Sequence, residues 1–377
     1  MAQILEGMTV LELATSVAGP SAAQTLGDFG ATVIKVEPSG GDPVRAWPGP
    51  RLENGDSAAF LALNRNKQSL VLDLSTDTGR ASAKELAAQV DVVVADSDLS
   101  SLGLDYASLS GLNQRLVYGF IDPALPDGSV GRDALHQAAS GYGAINGMAE
   151  GPPAKAGLPI IELTAANSLV QAVLAALYAR EDSSVGQQVT VGLFRNAIAM
   201  SYFYGMAYQI TGDPPQRFGN SSPAAVPVGV FQASNGPLQM TLGGERVWRK
   251  FAENIVGKPE WMTDERSASN SARVKNREWL VAEIDAIFAT QPRDTWVEAM
   301  QAGGVPGGPI RTIAEAVESR EVQDRGLVGT APHGSGRDVP VAHNPIRFEK
   351  TPVRQPRGAP LLGEHTAEIA ARFSPSL

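Results

Sequence analysis

Short β-type runs separated by helix-compatible stretches fill the first half of this chain, and that alternation constrains its fold more than any other feature. Met8-Thr-Val-Leu-Glu-Leu13 reads as a strand, and Gly19-Pro20 leads into a helical stretch from Ser21 to Phe29. Thr32–Glu37 is a second strand, Ser69–Leu74 a third, Val92–Val94 a fourth and Leu116–Phe120 a fifth, with a helix from about Thr78 to Gln89. Gln187–Val191 adds another strand, and residues 194–210 read as another helix. Strands spaced by helices need crossover connections, which predicts an α/β fold with a mostly parallel sheet.

The texture changes after residue 212. Gly212-Asp-Pro-Pro215 and Gly219-Asn-Ser-Ser-Pro223 are turn-rich. Val228–Phe231 and Leu238–Leu242 flank Ser234-Asn-Gly-Pro237 as a hairpin, and helical stretches follow at 246–256, 275–289 and 293–302. The expected division is a large domain over 1–210 and a smaller α+β domain over 225–325. The Gly- and Pro-rich segment 303–360 is expected to return over the surface. A chain of 377 residues has room for both cores.

Composition removes several classes of function. There is no cysteine, which excludes a disulfide scaffold, a thiolate nucleophile and a cysteine metal site. The net charge is -9 with no basic block, which argues against nucleic acid as a partner. The start of the chain lacks the pattern of a secretory leader. The apolar helical patterns near 165–180 and 196–210 carry polar residues and are too short to span a bilayer. A soluble cytoplasmic protein with no membrane partner is expected.

Chemistry points first to Glu162. In Gly157-Leu-Pro-Ile-Ile-Glu162-Leu-Thr164, apolar residues lead to a carboxylate, and Thr164 stands in an N-cap position. Leu169, Val170, Val173, Leu174, Leu177 and Tyr178 then share one helical face. The pattern predicts a short strand ending in a carboxylate just before a helix. Ligands bind there in α/β proteins, and a carboxylate there can attack an acyl group.

Other motifs are weaker. Gly141-Tyr-Gly-Ala-Ile-Asn-Gly147 lacks the strand and the acidic residue that a dinucleotide fingerprint requires. His136, His333, His343 and His365 are scattered, and no spacing predicts a metal site. His136 lies nearest the suspected chemistry, either as an acid/base or as a structural histidine. Asp133 reads as the cap of the helix that starts there.

A longer series of motifs carries a resemblance. Leu5-Glu-Gly-Met-Thr-Val-Leu-Glu-Leu13, Ala18-Gly-Pro20, Leu26-Gly-Asp-Phe-Gly-Ala31, Val33–Glu37 with Gly41-Asp42, and Leu63-Asn-Arg-Asn-Lys67 come in order. Leu72-Asp-Leu74 with Gly79-Arg80, Leu102-Gly-Leu-Asp-Tyr106, Gln137-Ala-Ala-Ser-Gly141, Gly186-Gln187 and Leu362-Gly-Glu-His-Thr366 continue it. In this order the chain resembles a class III CoA-transferase, of the CaiB/BaiF type that includes formyl-CoA transferase, carnitine CoA-transferases and α-methylacyl-CoA racemase.

The resemblance implies a Rossmann-like large domain built from both ends of the chain, with 326–377 as the returning segment, a smaller α+β domain, and an interlocked homodimer. It implies that a carboxylate attacks an acyl-CoA thioester. CoA passes through a mixed anhydride and an enzyme thioester to a carboxylic acid acceptor. Coenzyme A enters as acyl-CoA and no metal is involved. Carried onto this chain, the nucleophile is Glu162, and Val17, Ala18, Arg45, Asn64, Lys67, Leu102 and Arg132 are expected to bind CoA. Lys67 and Arg45 are expected to meet phosphate, and the 141–147 stretch is a candidate covering loop.

Two departures bear on that expectation. The family nucleophile is Asp, and Glu162 moves the carboxylate by roughly 1.5 Å. It is then a repositioned nucleophile, a general base or a relic. After Val92–Val94, members carry a basic segment, whereas this chain has Ala95-Asp-Ser-Asp-Leu-Ser-Ser101, whose aspartates would repel a phosphate. The racemase histidine position falls on Arg132, a poor base, unless His136 is recruited. Three alternatives stand: a transferase through Glu162, a racemase or isomerase using Glu162 and His136, and a non-catalytic paralogue that binds acyl-CoA or a homologous subunit.

Overall fold

The computed structural model describes residues 2–373. Six parallel strands form its main sheet: β1 (Thr9–Glu12), β2 (Thr32–Glu37), β3 (Lys67–Val71), β4 (Val92–Ala95), β5 (Val117–Asp122) and β6 (Gln188–Gly192). Their order is β3-β2-β1-β4-β5-β6, the doubly wound arrangement. Val10 and Leu11, Val33 and Ile34, and Val92 and Val93 point alternately to the two faces. Val10, Val33 and Val92 join one core with Leu26 of α1 (Ala18–Asp28). Leu11, Ile34 and Val93 join the other core with Leu86 of α2 (Asp77–Ala87). Because both faces are covered, these strands read as apolar runs.

Two further helices carry Asp133 and Glu162: α3 (Asp133–Ala139), which packs against α4, and α4 (Ile160–Ser183), which completes the first face. Leu169 and Val173 of α4 pack on the sheet above Gly119, where an added Cβ would lie 3.2 Å from both. By length and composition α4 is apolar enough to cross a bilayer, longer than the 165–180 pattern suggested. Leu169, Val170, Val173, Ala176 and Leu177 are buried in the core. The next helix, α5 (Leu193–Thr211), buries only Leu193 and Ala197.

The chain divides into two compact units. The first takes the residues up to Tyr142, Lys155–Ile210 and those from Arg320 onward. The second takes Gly143–Ala154 and Thr211–Ser319. Gly143–Ala154, placed by the sequence in the large domain, thus belongs to the smaller unit.

The second unit contains a three-stranded antiparallel sheet, β7 (Val228–Ala233), β8 (Gly236–Thr241) and β9 (Gly307–Pro309). Helices α6 (Arg277–Phe288) and α7 (Arg293–Gly303) cover it. Its core is aromatic. Phe231 meets Phe288 edge-on at 5.8 Å, and Trp248 stacks on Trp261 at 5.7 Å.

The 303–360 segment is more ordered than its composition suggested. It holds β9 and then the hairpin β10 (Val328–Pro332) and β11 (Asp338–Ala342). A two-stranded ribbon has only edges, so it tolerates Pro332 and Pro340. Farther on, the Arg354 guanidinium donates to the carbonyls of Gly30 and Ala31. The ring of His365 accepts from the Ser69 N–H, and the Thr366 hydroxyl from the Val71 N–H, closing the open edge of β3. The last helix, α8 (Thr366–Phe373), drops Ile369 into the second core. Residues 374–377 of the expected return segment lie outside the described residues.

Candidate functional site

In a doubly wound sheet the strand order reverses once, here between β1 and β4, and the crevice beyond their carboxyl ends receives ligands. Ser16 follows β1 and Asp96 follows β4. The Asp96 Oδ2 accepts from the Ser16 hydroxyl at 2.9 Å and from the Thr15 N–H at 3.0 Å, tying the two sides of the crevice together. Burial raises the Asp96 carboxyl above the ordinary range, against these hydrogen bonds and the attraction of Lys35 and Arg132. Asp96 is thus turned toward the β1 side of the crevice and held there by two hydrogen bonds. Asp98 does lie in the open, where it accepts from the Ser100 N–H. Gly19 keeps α1 close to this crevice, since a Cβ there would lie 2.3 Å from that of Ala14.

Glu162 borders the same field but stands in a different element from the one expected. No strand precedes it. Helix α4 starts at Ile160, so Glu162 is in its first turn. Thr164 is not the N-cap: its hydroxyl donates back to the Ile160 carbonyl at 2.7 Å. The N-cap is Pro159, which provides no side-chain hydrogen bond. The missing acceptor comes from α3. Asp133 Oδ1 accepts from the N–H groups of Ile161 at 2.8 Å and Glu162 at 3.2 Å. Asp133 is thus a cap, though for the neighbouring helix and not its own.

Glu162 is 3 % exposed. Its Oε1 accepts from the Asp133 N–H at 3.3 Å. Oε2 takes no hydrogen bond or ion pair among the described residues, and it is not one of the sealed unpartnered polar atoms, so it keeps a path to solvent. Burial raises the Glu162 carboxyl above the usual range. The Asp133 N–H and Arg132 oppose that rise, while the charges of Asp133 and Asp96 add to it. A buried, basic carboxylate with one open oxygen, at the amino end of a helix of 24 residues, is equipped to attack an electrophilic carbon.

The other expected residues separate into two groups. Val17 is the N-cap of α1, Ala18 starts that helix beside the crevice, and Arg132 is the N-cap of α3 with an exposed side chain. Leu102 packs against the second core. Arg45, Asn64 and Lys67, expected to bind CoA, are committed to internal bonds instead. Arg45 is bound by Glu37, Asp56 and the Pro360 carbonyl. Lys67 donates to the Pro20 carbonyl and to Asn64 Oδ1, both at 2.9 Å, and lies 2.7 Å from Glu12. Asn64 also donates to the Phe60 carbonyl. Each is held by interior acceptors that a phosphate would have to displace.

His136 is fully buried, and neither ring nitrogen has a hydrogen-bond partner among the described residues. No hydrogen bond joins it to Glu162 among the described residues. Among the described residues no group of three or more His, Asp or Glu side chains could hold a metal ion. A cleft of about 1010 Å³ opens at the amino ends of β2 and β3, lined by residues including Thr32, Gln68, His333, Arg354 and Arg357, and Glu162 does not line it. Asp96 and Asp133 are the site residues that the sequence reading did not assign. The capping signal of Asp133 was legible, but its target was not.

The order of the sheet and the crevice at its reversal define a doubly wound α/β protein. The model of CoA-transferase family III matches residues 5–366, and the chain belongs to that family and is a CoA-transferase. It is 37 % identical over 387 residues to succinate–glutarate CoA-transferase of Agrobacterium fabrum, covering 98 % of this chain and 95 % of that one. It is 31 % identical to succinyl-CoA:mesaconate CoA-transferase of Haloarcula hispanica, over 97 % and 95 % of the two chains. The crystal structure of a CAIB/BAIF family protein from Brucella suis superposes with a TM-score of 0.91 at 32 % identity, over 99 % and 100 % of the two chains.

Proposed function

We propose that this enzyme moves CoA between dicarboxylic acids through Glu162. The observation that carries the reading is the Glu162 carboxylate itself, with one oxygen anchored and the other open at the start of α4. An oxygen of Glu162 attacks the thioester carbonyl, the C–S bond breaks and CoA leaves as the thiolate. The thiolate then attacks the glutamyl carbonyl of the anhydride and releases the donor acid as a carboxylate. The acceptor carboxylate attacks the glutamyl thioester, and the returning thiolate takes the new acyl group and restores Glu162. No proton is consumed overall. The raised basicity of Glu162 favours attack, because its neutral acylated form relieves the repulsion of Asp133 and Asp96.

The names of the relatives above, which act on succinate, glutarate and mesaconate, support dicarboxylic substrates. Arg132 is exposed beside the carboxylates and is assigned to an anionic group of the thioester substrate. Val17, Ala18 and Leu102 are assigned to CoA through their backbone at the crevice.

A homodimer is part of the same proposal. Phe203 and Ile210 of α5 are 83 % and 76 % exposed, and Tyr202, Tyr204, Met206 and Tyr208 are also open to solvent. An apolar surface of that extent marks an interface.

The test is incubation with succinyl-CoA and trapping with hydroxylamine or borohydride. The expected result is modification at Glu162, followed by transfer to glutarate. Failure to modify Glu162 with a broad set of acyl-CoA donors would remove the nucleophile assignment. Phe203→Asp is expected to dissociate the dimer in sedimentation.

A further inference from the structure

Asp133 and Glu162 cap one another's helices. The Asp133 carboxylate accepts from the first free amides of α4, while the N–H of Asp133, the first residue of α3, donates to Glu162 Oε1. A helix end leaves its first N–H groups without partners, and an acceptor on the same chain segment normally supplies them. Pro159 cannot, so the start of α4 is held from a different helix. Asp133 is itself held in place. Its Oδ2 accepts from Gln137, one turn along α3, and Gln137 Oε1 accepts from the Ala156 N–H, in the segment that leads to α4. Every link in this chain is buried or half-buried.

The arrangement answers the geometric problem of a glutamate where the family carries an aspartate. A glutamate has an additional rotatable bond, and a misplacement near 1 Å can cost on the order of 100-fold in rate. Folding Oε1 back onto the start of α3 takes up the extra methylene and leaves Oε2 as the open atom.

We propose that Asp133 is the positioning residue of Glu162, setting from the adjoining helix which carboxylate oxygen meets the thioester. This rests on the reading of Glu162 as the nucleophile. Asp133 touches no reacting atom.

The experiment compares Asp133→Asn, Asp133→Ala and Glu162→Gln in the full-length enzyme, with succinyl-CoA as donor and glutarate as acceptor, and with a crystal structure of each Asp133 variant. Asparagine keeps an oxygen for the α4 amides but loses the charge. The expected kcat falls about tenfold for Asp133→Asn and about 100-fold for Asp133→Ala, with KM for succinyl-CoA within about twofold. The crystal structures are expected to show Glu162 displaced from α3. Should Asp133→Ala fail to fold, Asp133→Asn decides alone. A wild-type kcat in Asp133→Asn, a change confined to KM or melting temperature, or an unmoved Glu162 carboxylate overturns the proposal. If Glu162→Gln is inactive while both Asp133 variants turn over normally, positioning alone fails. If Glu162→Gln retains turnover, the nucleophile reading fails and takes this proposal with it.

Discussion

Two buried ionic clusters lie on the same sheet and have opposite characters. In the first, Glu12 stands between Lys35 at 2.9 Å and Lys67 at 2.7 Å, and Asp42 lies 2.6 Å from Lys35. Two cations meet two anions, and both ammonium groups also reach carbonyls, of Ala14 and Pro20. In the second, Glu162 and Asp133 are buried carboxylates and Asp96 a half-buried one, with no ion pair among the described residues. They are held by amides and a hydroxyl, and Arg132 stands off in solvent. Matched charges fix the loop between β1 and α1 on which the crevice is built. Unmatched ones leave a carboxylate basic and open to an electrophile. Burial alone therefore does not mark a reactive group; incomplete pairing within the burial does.

The largest expected effect falls on the unmatched cluster. Glu162→Gln should lower CoA transfer by more than about 1000-fold, about 4 kcal/mol, without unfolding the protein, as read from initial rates. Next comes the matched cluster. Lys67→Met should cost about 3 kcal/mol in urea unfolding, because Glu12 loses one of its two cations in the interior. The folded fraction should keep its kcat, and a kcat loss without a stability loss would place Lys67 in the chemistry. Glu162→Asp should cost about 100-fold in kcat, since the surroundings are built around the longer acid. A gain in rate from Glu162→Asp would show that the pocket still fits the family residue.

Smaller effects follow from titration. At neutral pH Glu162→Gln should raise stability by about 1 kcal/mol, as an uncompensated buried charge is removed. The folded-state pKa of Glu162 is raised, so its contribution to stability declines as pH rises from the ordinary carboxylate range through the folded value. That decline should be missing from the melting curves of Glu162→Gln. Activity should fall on the acid side at a pH above 4.5, as the nucleophile takes a proton. Lys67 behaves differently. Burial, against the pull of Glu12 and aided by Lys35, brings it from 10.5 down to about 8. The unfolded chain binds the extra proton between those values, so wild-type stability should rise relative to Lys67→Met from pH 8 toward 10.5. Lys35, which Glu12 and Asp42 hold above the ordinary range in spite of burial, stays charged throughout that window.

Most of the sheet was legible because its central strands are apolar on both faces and its edge strand β6 alternates polar and apolar residues. Thr32–Glu37 matches β2 residue for residue, and the runs at 92–94 and 187–191 fall within one residue of β4 and β6. The start of α4 was misread for a definite reason. Ile160 and Ile161 are β-branched and follow a proline, a local signature shared by strands and first helical turns. What decided for helix was an acceptor 28 residues away in sequence, Asp133. The β10–β11 hairpin was hidden by its prolines, Pro332 and Pro340.

The absence of cysteine and the alternation of strands and helices are properties of the sequence, and they were enough to indicate an α/β fold with a mostly parallel sheet and to single out Glu162 as a candidate carboxylate. Which lysines are free, which carboxylate caps which helix and which oxygen stays open were decided only by folding. Those outcomes depend on distances between groups far apart along the chain. Hydrogen bonds and ion pairs act over a few ångströms in space, and local sequence does not encode those separations.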